Sequence, residues 1–199
     1  MYSKKLVSII GFHGCDLSVR DALVNGKSQF KPSENNYDWL GHGMYFWEND
    51  FERALEFAKF KRNLENPTIN NPSVVGVLID LGICMDFTNS SFIPLLSVGY
   101  KLLLENIEKS GRLLQKNKPF KSGKDLIFRD LDCAVIETLH KYFSSKFDSV
   151  RGVFWEGESP YENAGFRDKN HIQICIRNPN CIKGYFIPRI TDINHREIS

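Results

Sequence analysis

Apolar and polar positions along the chain follow two rhythms. Alternation with β-branched residues marks strands, and a recurrence every three to four residues marks helices. Residues 5–13 read as a first strand, with Leu6, Val7, Ile9, Ile10 and Phe12 apolar. A helix over 18–25 follows, with Ser18 as its cap and Asn25-Gly26 as its end. Residues 27–40 are a polar loop, and Met44-Tyr45-Phe46-Trp47 is a short buried strand. Asn49 or Asp50 caps a second helix running to Lys61, with Ala54, Phe57 and Ala58 along one side. Residues 62–73 hold two prolines and four asparagines, so they form a loop.

A strong strand over 74–81 comes next, and 84–87 extends it beyond Gly82. Residues 96–109 and 125–146 are helical; in the second, Leu131, Val135 and Leu139 recur every four positions. Residues 149–155 are a strand, 156–170 a Glu- and Gly-rich loop, and 171–176 another strand. Asn178-Pro179-Asn180 is a turn, which makes 181–187 the hairpin partner of 171–176. Strands flank a few helices with no regular βαβ alternation. The fold class is therefore α+β with a largely antiparallel sheet. A length of 199 residues suits a single domain, 1–199, with a helical insertion at about 96–146.

Composition removes several function classes. Lys and Arg exceed Asp and Glu by only two, which selects no partner class. The five cysteines are scattered, without a C-x-x-C pair, which points to reduced thiols and away from a zinc site or disulfide scaffold. No stretch reaches the roughly 20 apolar residues of a membrane span, and the N-terminal apolar run is too short for a signal peptide. The expectation is a cytoplasmic protein with no metal and no membrane partner. P-loop, Rossmann, H-E-x-x-H and G-x-S-x-G signatures are absent from the sequence.

Three segments carry candidate chemistry. Gly11-Phe12-His13-Gly14 ends the first strand. Gly41-His42-Gly43-Met44-Tyr45-Phe46 runs towards the helix holding Ala54 and Phe57. His171-Ile172-Gln173-Ile174-Cys175-Ile176 follows the long loop. In that strand the period of two sends the isoleucines to the core and Gln173, with His171 and Cys175, to the other face.

Together these segments resemble the catalytic fold of the diphtheria-toxin-like ADP-ribosyltransferases and poly(ADP-ribose) polymerases. That family has a His-Gly on its first strand, a Gly-x-Gly-φ-Tyr-Phe block and usually a Glu on a late strand. The resemblance implies a split, largely antiparallel sheet with flanking helices, and NAD as substrate. It also implies roles. His13 bonds a hydroxyl of the adenosine ribose, and the backbone of Gly14 pairs with the nicotinamide carboxamide. Tyr45 and Phe57 stack on the two faces of the nicotinamide ring. Ala54 stands where the family often has a serine that bonds the carboxamide.

Gln173 stands where the family has its glutamate. It can bond the reacting ribose but supplies no negative charge, a loss of about 1–2 kcal/mol or roughly tenfold in rate. That favours a single transfer over chain elongation. Glu156, ahead of Glu158 and Glu162, is the candidate base for the acceptor. Segment 111–124 carries Arg112, Lys116, Lys118, Lys121 and Lys124 and no acid, which favours a nucleic-acid acceptor over a protein. Small stand-alone members of the fold include bacterial toxins, so the resemblance extends to a toxin or anti-phage effector with an antitoxin protein as partner. An NAD glycohydrolase and a binding-only NAD or ADP-ribose module remain open on the same residues.

Overall fold

The computed structural model describes residues 8–120 and 123–189. In chain order the elements are β1 (Ile9–Asp16), α1 (Leu17–Val24), β2 (Met44–Glu48), α2 (Phe51–Arg62), β3 (Pro72–Ile79), β4 (Cys84–Asp86), α3 (Ile93–Ser110), α4 (Asp130–Tyr142), β5 (Ser149–Phe154), β6 (His171–Ile176) and β7 (Ile182–Phe186). The architecture is α+β. A seven-stranded open sheet runs β4-β5-β6-β2-β1-β3-β7. All neighbours are antiparallel except β4 and β5.

The two halves of the sheet meet weakly. β1 and β3 share eight registered pairs, whereas β1 and β2 share two, Gly11 with Glu48 and Phe12 with Trp47. Beyond that point the strands part, and His13 Nδ1 reaches across to the Tyr45 carbonyl at 2.8 Å.

Side-chain alternation gives each face its own core. On one face Met44, Phe46, Val77, Ile79, Ile174 and Ile176 pack together, and α1 adds Leu23 beside Cys15 and Val75. On the other, α2 covers Trp47 and Val74 with Ala54, while α4 sets Ile136 and Leu139 on Val150 and Cys175. α3 then packs on α4 through Gly99, where an added Cβ meets Leu139 at 2.7 Å.

Several sequence expectations need correction. β6 and β7 are not a hairpin: β6 has β2 and β5 on its two edges, so β7 pairs with β3 instead. Segment 84–87 does not extend β3. Gly82 turns the chain at φ +60°, and β4 joins the far edge beside β5. The first strand continues past His13 to Asp16, and it is Asp16, not Ser18, whose side chain accepts the Ser18 N–H and caps α1. α4 starts at Asp130 rather than 125, because Lys118 and Phe128 pair as a β-bridge and the distant Asn117 side chain accepts the N–H groups of Leu131 and Asp132. It stops at Tyr142, ahead of Ser144 and Ser145 at positive φ. Expectations for residues 5–7, for Lys121 and for 190–199 lie outside the described residues.

Candidate functional site

Gly14, Tyr45, Ala54, Phe57 and Gln173 lie on the α2/α4 face of the sheet, and His13 lies on the other. The period of two decides this. Gly11, one pair of residues before His13, faces Phe46 and Ile79, while Gly14 faces Ala54 and Ala58. His13 is half-buried, with its ring 4.8 Å from Phe30 and 6.0 Å from Phe46. Burial lowers its pKa, so the ring is neutral near pH 7. A carbonyl only accepts, so Nδ1 carries the proton donated to Tyr45, and Nε2 keeps its lone pair.

Tyr45 is held by its hydroxyl, which donates to the Gly41 carbonyl at 2.5 Å and accepts from the Leu40 N–H at 2.8 Å. Burial raises its pKa well above the ordinary value. The phenol thereby fixes the Gly41–Gly43 loop. Gly14 is a close-packing position: a Cβ there would lie 2.0 Å from the Ala54 carbonyl oxygen of α2. Ala54 is fully buried for the same reason. Phe57 stacks on Trp47 with ring centroids 5.1 Å apart.

Gln173 sits between Trp47 and Gly152 in register, 9% exposed, and its carboxamide bonds no described residue. Trp47, its register partner, and His171, two residues before it on β6, share its face of the sheet. Trp47 Nε1, Arg53 Nε and His171 Nε2 are buried without a partner. The rings of Trp47 and His171 are 6.4 Å apart. His171 Nδ1 donates to the Lys169 carbonyl at 2.7 Å, so its Nε2 is the acceptor nitrogen. Burial pushes its pKa down to about 4, which keeps the ring neutral.

Glu156 closes this cluster. Its Oε2 takes an N–H of Arg53 at 2.8 Å and lies 3.7 Å from His171 Nδ1. Burial raises the Glu156 pKa, and the Arg53 charge opposes that rise. Glu158 and Glu162 remain exposed. The structure therefore separates the three loop glutamates by environment, and Glu156 is the one drawn inward.

Sequence reasoning missed Arg53, Trp47 and His171 as site residues. His171 had a signal, because alternation along β6 puts it on the Gln173 face. Arg53 had none, since its partner lies 103 residues away. A cleft of about 820 Å³ opens one strand further on, between β5 and the α3/α4 pair. Gly152, the register partner of Gln173, lies in its wall, and Arg129 in that wall stacks on Trp39 at 4.3 Å and Phe154 at 4.8 Å. The cleft thus adjoins the Gln173 cluster without containing it.

No family model matches the chain, and no solved structure does. The chain is similar to the uncharacterized protein MJ0359 of Methanocaldococcus jannaschii, 26% identical over 193 residues that cover 86% of this chain and 83% of that one.

Among the described residues no group of His, Cys, Asp and Glu is placed to hold a metal ion. No disulfide joins the cysteines among the described residues, and none of their helices is long and apolar enough to cross a membrane.

Proposed function

We propose that the chain is a mono-ADP-ribosyltransferase that uses NAD to modify a macromolecular acceptor, with nucleic acid favoured over protein. The observation that carries the reading is the set of unpartnered polar groups that goes with Gln173. Gln173 shares its face of the sheet with Trp47 and His171, and Trp47 Nε1, His171 Nε2 and, on α2, Arg53 Nε are buried without partners. Buried polar groups in folded proteins are nearly always bonded, so an unpaired set marks a place prepared for a ligand. Trp47 and Arg53 offer N–H donors, His171 offers an acceptor, and Gln173 offers both. A sugar hydroxyl or a carboxamide, each both donor and acceptor, matches that set. NAD has both.

The sequence resemblance supplies the reaction. The bond from the ribose C1′ to nicotinamide breaks, and an acceptor atom bonds C1′. Gln173 bonds the reacting ribose and steadies positive charge developing on it. Glu156 takes the acceptor's proton. Arg53 orients its carboxylate, and burial lifts its proton affinity above that of an exposed glutamate, which suits a base. His13, whose Nε2 keeps its lone pair, lies on the opposite face of the sheet and is not part of this set. Phe57 and Tyr45 provide the aromatic walls. The two-pair junction of β1 and β2 also agrees with the split sheet that this chemistry is built on.

The test is nicotinamide release from NAD by the purified protein, followed by chromatography, beside Gln173→Ala. Release that falls at least tenfold in the variant is expected. No release from the wild type under any acceptor condition overturns the proposal.

A further inference from the structure

We infer that Trp155, Phe120, Lys124 and Arg167 form a base-stacking site that holds a single-stranded nucleic acid as the acceptor. The inference rests on the transferase reading for the word acceptor; the binding itself does not depend on it. These residues line a second cavity of about 410 Å³, together with Asp125, Ile127 and, in the loop after β5, Gly157 and Glu158. Trp155 is 62% exposed, and the Arg167 guanidinium lies 5.3 Å from its ring centroid. An indole face with a cation over it is the kind of surface on which a nucleobase stacks, and every base offers such a face.

Charge agrees with that occupant. The same cavity has Asp125 and Glu158 in its wall, but Asp125 accepts the Gly157 N–H at 2.9 Å and is thereby committed to holding the loop. Lys124 lines the cavity too, and Arg112, Lys116 and Lys118 are exposed earlier on a stretch without a single acid. A phosphodiester chain can follow those cations while its bases turn towards Trp155. A protein acceptor gains little from a run of exposed cations beside an exposed indole.

Position links the site to the chemistry. Trp155 and Glu156 are adjacent at the end of β5, and their side chains part: Trp155 goes outward, and Glu156 goes inward to Arg53. Trp155 also belongs to the wall of the 820 Å³ cleft, so it stands between the two cavities. A nucleotide stacked on it is held one residue from the proposed base.

Binding of a fluorescein-labelled mixed-sequence 20-mer, as RNA and as DNA, is measured by anisotropy without NAD. The expected result is binding to single strands that weakens steeply with salt. Trp155→Ala is expected to weaken it by about tenfold, and Lys124→Gln with Arg167→Gln to flatten the salt slope. Thermal melts confirm that the variants fold. Trp39 and Trp47 are less exposed, so quenching of indole fluorescence by the oligonucleotide reports on Trp155. Absence of binding, or binding that Trp155→Ala leaves unchanged and heparin matches, overturns the inference. If NAD is consumed but no oligonucleotide binds, the stacking site fails and the transferase reading stands. If the oligonucleotide binds with the Trp155 dependence but NAD is untouched, the transferase reading fails and the site stands.

Discussion

The Arg53 guanidinium and the Glu156 carboxylate meet at 2.8 Å across 103 residues of sequence, with side chains 16% and 14% exposed. The pair ties the first turn of α2 to the end of β5 and brings the loop glutamate against His171. Most of the proposed chemistry turns on this contact.

Glu156→Gln keeps the shape of the side chain and removes its basicity. Transfer to the acceptor is expected to fall by roughly a hundredfold. Nicotinamide release to water is expected to fall much less. Parallel assays of transferred label and free nicotinamide check this, and equal losses in both would place Glu156 in ribose binding instead.

Gln173→Glu restores the carboxylate usual in the family that this chain resembles. About a tenfold gain in nicotinamide release is expected if desolvation does not keep the new acid protonated. The release rate measured from pH 6 to pH 9 separates the two effects, because a protonated glutamic acid would gain activity only as pH rises. A loss of activity across that whole range would remove Gln173 from the reacting centre.

Tyr45→Phe keeps the ring and deletes the hydroxyl that bonds Gly41 and Leu40. The Leu40 N–H then loses its partner, and a loss of about 1–3 kcal/mol in stability is expected by urea unfolding. Gly14→Ala is expected to cost about 3 kcal/mol or more, because the Ala54 carbonyl that blocks the new methyl is helix backbone and cannot swing aside.

Stability should fall in acid through His140 and His171. Each has its folded pKa lowered by burial from 6.5 to about 4. Between those values the unfolded chain binds more protons, so stability rises with pH in that window and is complete above it. The loss on going from pH 7 to pH 4 is on the order of 1–3 kcal/mol for each histidine. Glu156, whose pKa is raised by burial, contributes with the opposite sign and offsets part of it. Urea titrations of the wild type and His140→Leu at both pH values check this; the variant should show a shallower acid slope.

Most of the fold was legible where alternation is strong. Val74, Val75 and Val77 announce β3, and Ile172, Ile174 and Ile176 announce β6. Strand partners were not legible. Closeness in sequence suggested a β6/β7 hairpin, yet β6 is central and both its edges are taken. Gln173 and Glu156 could be singled out from local pattern, and the structure sets Glu156 against Arg53 and His171. Arg53 could not, because a long-range ion pair leaves no local trace. Nor could Tyr45's anchoring of the Gly41 loop, since a Tyr-Phe-Trp run reads equally as a wall for a ligand or as core.

The most direct test of the account uses NAD labelled in its adenylate half. The purified protein is incubated with it and total cell lysate, and the product is divided between nuclease and protease. The account predicts label on macromolecules that survives protease and is lost to nuclease, at a rate that Gln173→Ala and Glu156→Gln both reduce. No retained label, with NAD left intact, contradicts it.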